Sequence, residues 1–366
     1  MIFLNNHLNM KILILALAGI GDALMFTPAL KLLRQALPSA QIDALVMFKG
    51  TKEIYETNSN FNKVIHFDFL EEGAFSSFRF VLELRKKYDT TINVYPSNRQ
   101  EYNVINFLLG AKQRVGVKYL RANSQNFGWL NNVIILENDE SHNVQTNIGL
   151  VEKLLNKKFD VEPAMQILLS EDDNSFAENF LKEKNISDKD FVVGFHPGCA
   201  TLKNHIKRRW EPEKFAELGK KFIKEKNAKI FLFGGPEEDE LKSSISKIVD
   251  SENLFVINTE KFLQSIAIMK RCNVFVTNDS ALMHIASALG LKVVAIIGPT
   301  NQHYIHPWKT GHKIVSLNLD CAPCFFYSPK PLTCSRTDVQ YKCIKELEVD
   351  MVWNKIFEKG ELPWIG

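Results

Sequence analysis

Residues 274–300, VFVTNDSALMHIASALGLKVVAIIGPT, constrain the fold more than any other stretch of the chain. They divide into a strand, a polar turn, a helix, a second strand and a second turn. Residues 274–276 and 292–297 are largely β-branched and aromatic or aliphatic, which suits a sheet covered on both faces. Between them Asp279 or Ser280 suits an N-cap, residues 282–289 supply an apolar helical face, and Gly290 suits the position just past the helix end. Such a unit leaves backbone N–H groups and the positive end of a helix dipole at the carboxyl end of a parallel strand. His284 lies one turn on from Ser280 and can face the same crevice. A phosphate-bearing ligand is the functional reading. The structural alternative is a plain βαβ unit with a capped helix and a packed histidine.

The same alternation runs through the chain. Residues 11–17 read as a strand, 18–22 as a turn, and 23–37 as a helix with Leu24, Leu30, Leu33 and Leu37 on one face, Pro28 near its first turn and Pro38 after its end. Further strands are expected at 42–47, 63–67, 91–94, 114–117, 191–195, 229–233 and 254–257. Helices are expected at 75–88, 101–109, 144–155, 175–184, 262–272 and 349–359. This order implies an α/β protein built on doubly wound parallel sheets, and 366 residues suit two domains. They are expected at 10–175 and 186–345 around the charged stretch 171–190, with a terminal helix in 346–366 packing back on the N-terminal domain. Residues 1–9 carry no pattern, and Met10 is an alternative start. The early apolar run is broken at Gly19, Gly21 and Asp22, too soon to span a bilayer, so a cytoplasmic protein is expected. With 45 basic and 42 acidic residues the chain lacks the basic footprint of a dedicated nucleic-acid binder.

Chemistry is sought in the turns that follow strands. Gly19-Ile-Gly21-Asp22 departs from the dinucleotide fingerprint, because the third small residue is Leu24 and Asp22 would repel a pyrophosphate. The glycines are read as allowing a sharp turn that holds Asp22 at the sheet's carboxyl edge. The alternative is a residue that merely complements the helix dipole. Arg114, Lys118 and Arg121 can contact an anionic acceptor or membrane surface, or form a solvated basic loop. In the second half, His196-Pro-Gly-Cys-Ala200 is followed by Lys203, Lys207, Arg208 and Arg209, which can neutralise a diphosphate. Gly234-Gly-Pro leads to Glu237 and Glu238, either of which can accept from ribose hydroxyls or complement a helix dipole. Gly298-Pro-Thr300 is another strand-end loop. Cys321, Cys324, Cys334 and Cys343 allow a structural metal site, although their spacing is not that of a common zinc finger, and free thiols are the default.

Three ordered motifs resemble glycosyltransferase family 9, the ADP-heptose:lipopolysaccharide heptosyltransferases: KILILALAGIGDALMFTPALKLLRQALPSAQID, HPGCA with RRW, and NDSALMHIASALG followed by GPT. The resemblance implies a GT-B architecture, two Rossmann-like domains facing across a cleft, with the acceptor bound by the first and the nucleotide-sugar by the second. It implies an inverting transferase that needs no catalytic metal or other cofactor. It moves heptose or a related sugar from an ADP-heptose-type donor to a lipopolysaccharide core or other glycolipid at the cytoplasmic face of the inner membrane. Asp22 would be the general base, with Gly19, Gly21, Arg114, Lys118 and Arg121 on the acceptor side. Asp279 would touch the donor sugar, Ser280, Ala281, Leu282 and His284 would line the diphosphate with Arg208 and Thr300 beside them, and Glu238 would approach the nucleoside. Arg208 stands where the family often has lysine, and Ala281 where it usually has glycine, so the donor sugar can differ from heptose. Competing functions are a nucleotide-sugar epimerase of the same architecture and a non-catalytic nucleotide-sugar-binding protein of surface polysaccharide assembly.

Overall fold

The computed structural model of the protein describes residues 10–326 and 331–357. Two compact units divide the chain between Leu168 and Leu169. The first contains strands β1 (Lys11–Ala16), β2 (Gln41–Val46), β3 (Lys63–His66), β4 (Thr90–Asn93), β5 (Gln113–Lys118) and β6 (Val133–Leu136). All are parallel, in the order β3-β2-β1-β4-β5-β6. The second contains β7 (Val192–His196), β8 (Lys229–Leu232), β9 (Leu254–Val256), β10 (Val274–Asn278), β11 (Lys292–Ile296) and β12 (His312–Val315). Its order, β12-β11-β10-β7-β8-β9, repeats the first. Each is the doubly wound order whose winding reverses beside the first strand, the place where such sheets open a crevice at their carboxyl edge. In the second unit Thr277 of β10 pairs with His196 of β7, so both strands end together at that crevice.

The central strands form because their interior positions are apolar. Ile12, Leu13, Ile14 and Leu15 are buried on both faces of the first sheet, and Val193, Phe195, Val276, Val294 and Ile296 do the same in the second. Trp210, Phe215 and Phe222 pack into the second core. The terminal helix Val349–Phe357 belongs to that core through Val352, Trp353 and Ile356. It packs on β12 and the helix Pro212–Lys226 of the second unit, and residues 358–366 of the expected terminal segment lie outside the described residues. The helix Glu171–Glu183 also joins the second unit, against the helix Phe262–Met269, so the boundary lies nearer the N-terminus than 175.

One expected helix is two. Residues 23–37 contain the end of Ile20–Leu24 and then Thr27–Ala36. Pro28 has no N–H to give the Leu24 carbonyl four residues back, and the Thr27 hydroxyl bonds that oxygen instead at 2.8 Å. The elements not anticipated include the helix Lys49–Glu56, where Ile54 and Tyr55 are the only large buried apolar side chains, strands β6 and β12 at the sheet edges, and the one-turn helices Gln302–Ile305 and Lys342–Lys345.

Candidate active site

The second unit gathers four loops around the ends of β7 and β10. Asn278 closes β10 and fastens the loops. Its side-chain amide donates to the Pro197 carbonyl at 2.6 Å, and its oxygen accepts from the Trp210 N–H at 3.0 Å. Next in the chain, Asp279 accepts from Arg208 Nη1 at 2.5 Å and from the Thr300 hydroxyl at 2.7 Å. Arg208 and Asp279 are 8% and 7% exposed, so this is a largely desolvated ion pair at the mouth of the crevice. The Arg208 guanidinium also lies 5.5 Å from the Phe325 ring centre. A cavity of about 390 Å³ opens beside Thr300, lined by Gly298, Asn301, His303, His306 and Ala322 among others.

Ser280 is the N-cap of the helix Ala281–Ala288, yet its side chain makes no capping hydrogen bond. Its hydroxyl faces His196 Nδ1 at 2.9 Å and Thr277 Oγ1 at 3.2 Å. The Met283 N–H bonds the Ser280 carbonyl at 3.2 Å, and the Ala281 and Leu282 N–H groups at the helix start are left without the side-chain cap that a serine ordinarily supplies, which suits an anion there. One turn further, His284 is 4% exposed, and its Nδ1 is buried with no hydrogen-bond partner. Burial pushes its titration down to about 4 despite the opposing charge of Asp279, so the ring is neutral near pH 7.

Glu238 ends the short turn Pro236–Glu238 that follows β8. One oxygen meets His196 Nε2 at 3.0 Å and the Gly235 N–H at 3.1 Å, and the other accepts from Arg209 Nη2 at 3.2 Å. Burial raises the carboxyl's titration, but the bonds and charges of His196, Arg209 and the Gly235 amide outweigh it and hold Glu238 below the usual carboxylate range. The expected ribose acceptor is thus a buried, 5% exposed carboxylate already holding three donors.

In the first unit, Asp22 follows β1 in the third position of the helix Ile20–Leu24, and its Oδ2 accepts from the Gly19 N–H at 3.1 Å. Gly19 has φ −62° and Gly21 is a buried helical residue, so the turn that carries Asp22 is made without a left-handed glycine. At Gly19 a Cβ would instead meet the Asp22 carboxylate at 3.4 Å. Tyr55, Tyr102 and Tyr119 lie near that carboxylate. Burial raises the titration of all three phenols and the charge of Asp22 adds to it. Tyr55 donates to the Ala23 carbonyl at 2.6 Å and Tyr102 to the Leu17 carbonyl at 2.7 Å, so the tyrosines brace the turn that carries Asp22.

The sequence profile described as glycosyltransferase family 9 (heptosyltransferase) matches residues 77–332, which is more than half of the chain. The chain belongs to glycosyltransferase family 9. It is therefore an enzyme that transfers a glycosyl group. Lipooligosaccharide heptosyltransferase 2 of Campylobacter jejuni serotype O:2 is 27% identical over 353 residues, covering 94% of this chain and 96% of that protein. The protein of the same name from serotype O:6 is 34% identical over 173 residues, and that alignment spans 45% of this chain and half of its relative. The solved structure of Escherichia coli ADP-heptose LPS heptosyltransferase II shares the fold, with TM-score 0.70, 21% identity, and coverage of 95% of this chain and 98% of that one.

Of the residues expected on the donor side, Arg208, Asp279, Ser280, Glu238 and Thr300 come from loops at one edge of the second sheet and His284 from the helix Ala281–Ala288, with Ala281 and Leu282 half-buried at the helix start. The cations expected on the acceptor side divide. Arg114 sits at the amino-terminal end of β5, the edge opposite Asp22, and donates to the Leu130 and Ala111 carbonyls at 2.8 and 2.9 Å. That corrects its assignment to the acceptor site. Arg121 forms a two-pronged pair with Asp139 at 2.9 and 2.6 Å, and Lys118 is exposed at the carboxyl end of β5. Cys321, Cys324, Cys334 and Cys343 are free thiols, and among the described residues no three His, Cys, Asp or Glu side chains are grouped to hold a metal ion. His196, Gly198 and the three tyrosines were not singled out from the sequence as site residues. For His196 the available signal was its position as the last residue of a central strand, equivalent to that of Asn278 before the Asp-Ser pair.

Proposed function

We propose that the protein transfers heptose, or a closely related sugar, from an ADP-heptose-type donor to a lipopolysaccharide core or other lipid-linked acceptor, with inversion and without a catalytic metal. The observation that carries this reading is the helix Ala281–Ala288, whose N-cap serine leaves the helix amides uncapped beside the Arg208–Asp279–Thr300 cluster. The heptose and the acceptor class come from the names of the Campylobacter relatives, and ADP from the description of the E. coli structure.

In this mechanism the acceptor hydroxyl oxygen attacks the anomeric carbon from the face opposite the diphosphate. The bond from that carbon to the diphosphate oxygen breaks, and the nucleoside diphosphate leaves with the electron pair. The proton of the acceptor hydroxyl passes to the Asp22 carboxylate, which the Gly19 N–H orients by its bond to Oδ2. Charge developing on the leaving group is met by the helix amides and by Arg208, fixed in advance by Asp279. Neutral His284 contributes a hydrogen bond and no charge. Lys118 supplies a cation for an anionic acceptor at the carboxyl edge of the first sheet. A lipid-linked acceptor implies peripheral association with the cytoplasmic face of the inner membrane. Among the described residues no helix is long and apolar enough to cross a membrane.

The test is to incubate purified protein with ADP-heptose and heptose-deficient core glycolipid. The expected result is one heptose added to the acceptor by mass spectrometry, ADP released in equal amount, the opposite anomeric configuration in the product, and a rate unchanged by EDTA. Conversion of the donor without any acceptor would sink the transferase mechanism, and loss of activity in EDTA would sink its independence of metal.

A further inference from the structure

Glu238, His196 and Ser280 form a buried line of three side chains joined by contacts of 3.0 and 2.9 Å. Glu238 is ionised, so the ring nitrogen beside it, Nε2, carries a proton. A neutral His196 then has a bare Nδ1, which can only accept, and the Ser280 hydroxyl must give it its proton. In that state the serine presents lone pairs, not a donor, to the helix mouth where a diphosphate would lie. An anion there and an acceptor-only oxygen are mutually repulsive.

We propose that binding of the donor diphosphate is coupled to uptake of one proton by His196, which turns Ser280 into a hydrogen-bond donor to the phosphate. This rests on the donor-site reading above. The proton comes from solution and adds to Nδ1. The imidazolium then donates from Nε2 to Glu238 and from Nδ1 to Ser280 Oγ, and the serine O–H is released to a phosphate oxygen. One positive charge enters the site together with the ligand's negative charge. It lies one residue away from the leaving group, held by a carboxylate that is itself anchored by Arg209 and the Gly235 amide. His196 is thus a positioning residue acting through Ser280. The other charged or titratable groups around it are Arg209, the Arg208–Asp279 pair, His284, the buried Cys199 thiol, and Lys242, which donates to the Gly234 carbonyl at 3.1 Å. None of them touches Ser280 Oγ, whose polar side-chain contacts are His196 and Thr277.

Calorimetric titration of the wild-type protein with ADP tests this. It is run at about pH 8, where a phosphate monoester's second proton is gone, in HEPES and in Tris, whose ionisation enthalpies differ. The expected result is a buffer-dependent enthalpy corresponding to uptake of up to one proton per ADP. Affinity should weaken as pH rises, by at most about tenfold per pH unit. His196→Asn and Ser280→Ala should bind ADP more weakly, with the uptake abolished in the first and reduced in the second, while far-ultraviolet circular dichroism stays that of the wild type. Wild-type binding with the same enthalpy in both buffers overturns the relay and leaves the donor site standing. Undiminished uptake in a folded His196→Asn protein also overturns it. Failure of the wild type to bind ADP at all overturns the donor-site reading and the relay together.

Discussion

Gly198 is the position at which one methyl group should disable the donor side. A Cβ built there falls 1.5 Å from Glu238 Oε1, 2.1 Å from its carboxyl carbon and 2.6 Å from Oε2. Ordinary contact needs about 3.5 Å, so Gly198→Ala requires the carboxylate to move by roughly 2 Å. Its bonds to His196, Gly235 and Arg209 already measure 3.0, 3.1 and 3.2 Å, and a move of that size takes them past the limit of a hydrogen bond. Breaking a buried charged network from one side costs about 3–5 kcal/mol, since the partners stay behind uncompensated. A chain of two units does not unfold in one step, so the cost is read from the denaturant midpoint of the second unit. ADP affinity, measured by calorimetry, should fall at least tenfold, equivalent to about 1.4 kcal/mol. Gly290→Ala is the control. At φ +73° and with nothing within 4 Å of the added methyl, it carries only the cost of a left-handed alanine, about 1–2 kcal/mol, and leaves ADP affinity unchanged. Glu238→Ala removes the obstacle, so Gly198→Ala in that background should cost little, a coupling that a double-mutant cycle reports directly. A Gly198→Ala protein with wild-type stability and ADP affinity would refute the reasoning.

Three further outcomes follow from the same geometry. Asp22→Asn should fold and bind ADP normally, because the amide oxygen can still accept from Gly19, while transfer measured with radiolabelled donor falls by about 10²–10⁴; near-wild-type turnover would remove Asp22 from the base role. Arg208→Ala should lower the stability of the second unit by about 3–5 kcal/mol in urea unfolding, since it strands the buried Asp279 carboxylate, and adding Asp279→Asn should restore part of that loss. His284 titrates near 4 in the folded chain against 6.5 when unfolded, so the unfolded state alone takes up its proton between those values. Stability that is fully present above about pH 6.5 should therefore decline by about 3 kcal/mol as pH falls toward 4. In His284→Gln the fall in urea midpoint between pH 7 and pH 5 should be smaller.

Strands and helices with uniform apolar faces were legible in the sequence because burial alone decides them: β1, β7, β10 and β11 lie inside their sheets, and the polar residues they carry, such as Lys11, His196, Asn278 and Lys292, fall at their ends. The elements that escaped do not read as a uniform apolar run. β6 alternates half-buried and exposed residues at a sheet edge, β12 opens with His312 and Lys313, and the helix Lys49–Glu56 is mostly polar. Asp22 and Ser280 stand out in the sequence as candidate site residues because each follows the end of a central strand, and His284 because it lies one helical turn on from Ser280. The link from Glu238 through His196 to Ser280 was not, since its members are 42 and 84 residues apart. Strand order supplies what sequence distance hides. With β7 between β10 and β8, the turns that follow these three strands are neighbours at one edge. A histidine closing the middle strand can then reach a serine on one side and a glutamate on the other. The same adjacency explains why position 198 is glycine: Glu238 fills the space its side chain would take. Gly198 and Glu238 are thus a single packing decision made in two loops, and the helix start at Ser280 depends on both for the histidine that holds its hydroxyl.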